Sequence, residues 1–116
     1  MWFGTKDGLN QYDGLVFRTF QKENSSLGNN FITALHEDAE GNIWVGTDTG
    51  VYIYNPRLEK FTPFDIPIEG TGETISRTIT WIDSDPQKDV WISSDSQGLF
   101  HYDIKKNSLK EYSAKI

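Results

Sequence analysis

Cysteine is absent, methionine occurs once and proline four times in 116 residues. Without thiols there is no disulfide framework, no thiolate metal site and no cysteine nucleophile. Basic side chains are also short: 11 Lys and Arg stand against 17 Asp and Glu, a formal charge of −6. Proteins that grip a phosphate backbone cluster Lys and Arg, so a nucleic-acid partner is excluded by this balance. No apolar run approaches the roughly 20 residues that span a bilayer, and no membrane contact is expected of this segment. No signal-peptide pattern follows Met1, so the expectation is a cytosolic protein or a piece of a longer chain. Aromatics are plentiful by contrast, with 4 Trp, 5 Tyr and 7 Phe.

Those aromatics recur in a fixed order. Trp2-Phe3-Gly4-Thr5, Trp44-Val45-Gly46-Thr47 and Trp91-Ile92-Ser93-Ser94 each place Trp, a large apolar residue, a small residue and a hydroxyl in succession. Each is followed by a glycine and a segment ending in tyrosine: Gly8 to Tyr12, Gly50 to Tyr54, Gly98 to Tyr102. A spaced apolar pair closes each unit, Phe17 and Phe20, Phe61 and Phe64, Leu109 and Tyr112. The tryptophans lie 42 and 47 residues apart, and upstream Ile32-Thr33-Ala34-Leu35 and Asp38 sit 47 residues before Ile79-Thr80-Trp81-Ile82 and Asp85. A repeat of this period points to a solenoid or a propeller.

The punctuation decides between them. Gly, Asn, Asp, Pro, Ser and Thr interrupt the chain every eight to twelve residues or so, which suits short strands and not helices. Eleven strands are expected, over 1–5, 9–12, 16–20, 31–37, 43–47, 51–54, 60–64, 78–83, 90–94, 99–102 and 109–113. The segment Ile43-Trp44-Val45-Gly46 is apolar on both pleat faces and therefore needs cover on both. Four strands per 42–47 residues is one β-propeller blade. The fold class is all-β: about three four-stranded antiparallel blades of an incomplete propeller. The first blade, 1–20, lacks its inner strand; the second spans 31–64 and the third 78–113. Three blades cannot close a ring of the usual four to eight. The remaining blades are expected from a parent chain or from a homo-oligomer.

The signature Asp38 to Thr47, continuing to Tyr54-Asn55, resembles the two-component regulator propeller repeat, as in the periplasmic sensor region of bacterial hybrid two-component histidine kinases. The third copy departs from it at Ser93-Ser94 and at Lys88-Asp89. The resemblance implies a periplasmic sensing propeller in which an oligosaccharide is the ligand and a kinase lies elsewhere in the protein. A protein–protein interaction propeller is the alternative, and a propeller lyase or hydrolase a second.

Candidate site residues are few. No phosphate loop, nucleophile elbow or zinc motif is present, so neither catalytic residues nor a cofactor is expected. His36 and His101 have no second His, Cys or suitably spaced carboxylate, so no metal is expected either. Asp7, Asp48 and Asp95 recur after the Trp strands and are expected to cap those turns. Trp2, Trp44 and Trp91 are expected in the core. Trp81 differs, because Ala34 holds the equivalent place, and it is a candidate to line the central channel. The long connections 21–30 and 65–77 vary where the framework repeats, as loops that carry function do. They offer Asn29, Asn30, Glu73 and Arg77 as groups that could hydrogen-bond a ligand.

Overall fold

The computed structural model describes residues 2–12, 14, 17–21, 31–95 and 97–112; Asn29 and Asn30 lie outside them. Eleven strands appear: β1 (Trp2–Thr5), β2 (Gly8–Tyr12), β3 (Phe17–Phe20), β4 (Ile32–Glu37), β5 (Ile43–Thr47), β6 (Gly50–Asn55), β7 (Lys60–Pro63), β8 (Ile79–Ser84), β9 (Val90–Ser94), β10 (Gly98–Asp103) and β11 (Ser108–Tyr112). Every boundary falls within a residue of its expected place, and the described residues contain no helix. The strands form three antiparallel meanders, β1-β2-β3, β4-β5-β6-β7 and β8-β9-β10-β11. They are three blades of a β-propeller.

The core lies in the two seams between blades. Leu9, Phe20, Ile32, Ile43, Val45, Tyr54 and Phe61 fill the first. Trp44, Val51, Phe64, Ile79, Ile82, Val90, Ile92, Phe100 and Leu109 belong to the cluster that fills the second. Strand β5 is buried along its whole length because its alternate residues enter different seams, which is why its sequence is apolar on both faces. Each such aliphatic side chain contributes roughly 1.5–3 kcal/mol by leaving water.

The expectation that all three motif tryptophans are core holds only for Trp44, which is 2% exposed. Trp2 is half-buried against Phe20 and Tyr54. Trp91 is half-buried on the face turned away from the second blade, against His101 and Tyr112. Burial of this position needs a following blade, and no sheet covers that face among the described residues.

Turn chemistry also differs from expectation. Among the described residues Asp7 and Asp48 do not cap the turns after their Trp strands, and the Asp95 turn runs through residue 96, outside them. In the first two turns the hydroxyl one or two residues earlier is the cap: Thr47 Oγ1 donates to the Gly50 carbonyl and accepts the Thr49 N–H. Thr5 repeats this with Gly8 and Asp7. The Asp48 carboxylate instead accepts the Thr78 hydroxyl at 2.9 Å, tying the turn to the next blade.

The motif aspartates upstream are the caps. Asp38 Oδ1 accepts the N–H groups of Glu40 and Asn42, and its Oδ2 accepts the Trp44 indole N–H at 2.9 Å. Asp85 does the same for Gln87, Asp89 and Trp91. The Trp91 indole bond holds the Asp85 carboxyl below the usual carboxylate range; desolvation opposes this, and the Asp89 and Gln87 amides reinforce it. In the second blade the turn passes through Gly41 at φ 85°, but in the third Lys88 takes φ 71°. A side chain in that region costs about 1–2 kcal/mol. Lys88→Gly is therefore expected to stabilise the chain by about 1 kcal/mol, read as a raised melting temperature; an unchanged or lower one refutes the strain.

Candidate functional site

The connection from the second blade to the third is strapped down. Phe64 N–H donates to the Val51 carbonyl, and Glu69 N–H reaches the Leu109 carbonyl at 2.8 Å, beside a parallel bridge from Ile68 to Leu109. Ile68 and Ile75 are buried in the second seam. The sequence reading missed both anchors. Glu73 and Arg77, two residues to either side of Ile75, are exposed.

Gln97 organises what remains. Its Oε1 accepts the backbone N–H groups of Ser76 and Arg77 at 3.1 and 3.0 Å, and its Nε2 donates to the Thr74 carbonyl at 3.4 Å. Ser94 Oγ donates to the same Oε1. A groove of about 490 Å³ results, lined by Gly72, Glu73, Thr74, Ser76, Arg77 and Gln97. Glu73 and Arg77 thus meet in one groove, and sequence reasoning overlooked Gln97. Its signal was available: the turn Asp95-Ser96-Gln97-Gly98 is one residue longer than Asp48-Thr49-Gly50.

Trp81 stands apart from that groove. It lies on the inner strand β8, 48% exposed, opposite Ser93 in the register. The corresponding pair in the second blade, Ala34 and Gly46, faces the third blade, with a Cβ built on Gly46 meeting Ile79. A register shift between Ile79 and Trp81 turns these two to opposite faces. Trp81 therefore looks outward beside Leu99 and Tyr112.

The inner strands meet through His36, whose Nε2 lies 2.8 Å from Ser84 Oγ and whose Nδ1 lies 3.7 Å from Asp83 Oδ1. The order Asp, His, Ser resembles an acyl-transfer triad. However, Asp83 Oδ1 is taken at 2.8 Å by the Ser84 N–H and stands beyond hydrogen-bond reach of the imidazole. The arrangement ties blade to blade.

Among curated proteins none matches this chain. Two solved structures from B. thetaiotaomicron are similar along nearly its whole length. The extracellular domain described as that of hybrid two-component system BT3049 is 26% identical over 97% of this chain and 16% of its own, with a TM-score of 0.80. The extracellular domain of BT4673, described likewise, is 25% identical over 98% of this chain and 15% of its own, with the same TM-score. This chain therefore spans about a sixth of their length. Residues 26–49 match the family model of the two component regulator propeller, so the chain carries that repeat in a fold shared with the extracellular domains of hybrid two-component systems.

Proposed function

We propose that the chain is a non-catalytic part of an extracytoplasmic, periplasmic sensing propeller, and that it recognises an oligosaccharide on the face that carries the interblade connections. The observation behind this reading is the groove braced by Gln97, where Glu73 and Arg77 offer an acceptor pair and a planar donor fork to sugar hydroxyls. Asn29 and Asn30, in the preceding connection, belong to the same proposal. Binding would signal by favouring one of two conformations of the whole sensor, which requires unequal affinity for them.

The test is calorimetric titration of the parent ectodomain with glycan pools. Arg77→Ala and Glu73→Gln are each expected to weaken binding at least tenfold while leaving the melting temperature unchanged. An ectodomain inert to every pool, or binding that ignores both substitutions, overturns the reading.

One observation favours a second, compatible role. Trp81, Trp91, Leu99 and Tyr112 share the open face of the third blade, and the matching face of the second blade is a seam. A further blade of the parent chain, or of a second copy, fits there by continuity with the existing seams. A protein-interaction propeller would use such a face without any small ligand. Trp81 is then a packing residue, and Trp81→Ala would leave glycan affinity intact.

A further inference from the structure

We propose that Asp85, Asp89 and His101 form a binding site for a divalent cation of the zinc class on the third blade. Their ligand atoms lie within 4.8 Å of one another, with Asp89 Oδ2 and His101 Nε2 3.0 Å apart. Spacing along the chain does not reveal this cluster, because β9 and β10 bring together residues 12 to 16 positions apart only through the pairing of Trp91 with His101.

Three observations support a cation over a plain ion pair. First, both carboxylates are already held in place by N–H donors. Asp85 Oδ1 accepts two backbone N–H groups and its Oδ2 the Trp91 indole N–H, which leaves Oδ2 a second lone pair. Asp89 Oδ1 accepts the Ile104 N–H at 3.2 Å, with its Oδ2 aimed at the imidazole. Second, the side chains of His101 and Asp89 are only 24% and 16% exposed. Two half-buried carboxylates facing one imidazole carry more negative charge than it offsets even when protonated. Lys110, opposite His101 on the adjoining strand, and Lys106 line a hollow of about 310 Å³ together with His101, Glu69 and Asp103, so its two lysines are matched there by its two acids.

Third, the repeat supplies its own baseline. The second blade builds the same turn with Asp38 and Asn42 and places Ile53 where His101 stands; the first blade has Gln11 there. Only Asp85 is needed for the turn. The change of Asn to Asp and the change of Ile to His both add ligand atoms, and they add them to each other's neighbourhood.

One nitrogen and two carboxylate oxygens suit zinc and its neighbours, whereas calcium and magnesium prefer oxygen alone. Three protein ligands leave a fourth position to water. Ligand bonds of about 2.0–2.1 Å require small side-chain shifts, and the metal replaces the His101–Asp89 hydrogen bond.

Zinc chloride titrated into the chain by calorimetry is the test, with nickel as a second probe. Trp91 packs against His101 with ring centroids 4.5 Å apart, so bound nickel should quench its fluorescence. One zinc per chain and a raised melting temperature are expected. Asp89→Asn and His101→Ile restore the second blade's own residues and should fold. Each should weaken binding by more than the roughly 10- to 100-fold that loss of an outer-sphere partner costs. Zinc binding that neither substitution moves, or no binding at about 1 mM zinc, reduces the cluster to a structural ion pair and overturns the proposal.

Discussion

Asp38→Ala is expected to cost roughly 3–4 kcal/mol, read as a lowered urea midpoint at unchanged slope. The carboxylate serves three N–H groups at once. Two belong to the turn at Glu40 and Asn42, where water can take over part of the work. The third is the indole of Trp44, only 2% exposed in the seam. An orphaned buried donor costs about 1–3 kcal/mol, and bonds to a charged acceptor add to that. Asp38→Asn should cost about half as much, because one oxygen still accepts the turn amides while either orientation of the amide leaves a donor facing a donor. Asp85→Ala provides the control. Its indole partner, Trp91, lies on an open, half-buried face where water can replace the carboxylate, so its cost should be clearly smaller. Equal losses at both positions would show that turn closure, and not the indole clamp, sets the energy.

That contrast also marks what was legible in the sequence. Strand positions were, because glycine and proline punctuation and two-sided apolar runs depend on local chemistry and on cover that the repeat itself supplies. The turn caps were misassigned because Asp and Thr both satisfy turn amides; which one reaches depends on a single residue of offset, as Asp7 against Asp48 shows. Trp91 was read as core because its copy Trp44 is core, yet burial belongs to the neighbouring blade and not to the residue. Asp85, Asp89 and His101 were invisible for a related reason: register across two strands, not spacing along one, makes them neighbours. Ile68 and Ile75 looked like loop residues because nothing local announces that a connection will be strapped along β11.

The blade seam itself should be the least forgiving feature. A Cβ placed on Gly46 would lie 2.6 Å from Ile79 Cγ2 and 2.8 Å from Ile79 Cβ, and Gly4 meets Ile32 in the same way across the first seam. The seam itself demands glycine here, since β1 and β5 each run against the first isoleucine of the next blade, Ile32 and Ile79. Gly46→Ala is therefore expected to destabilise the chain by about 3 kcal/mol, at the upper end of ordinary overpacking, because Ile79 is fully buried and cannot move aside. Ile79→Ala alone should cost about 3–4 kcal/mol through the cavity it leaves. Combined, the two should cost less than their sum by about 1–2 kcal/mol, since each relieves the other's defect. Strict additivity in denaturant titrations would mean that the blades separate slightly to admit the methyl group, and that their spacing is set by something other than this contact. In the third blade Ser93 already fills the equivalent position, with its hydroxyl bonded to Thr80 at 3.0 Å. A sheet packing on that face must therefore bring a residue smaller than isoleucine to this point, and the loss measured for Gly46→Ala gives the size of the penalty it avoids.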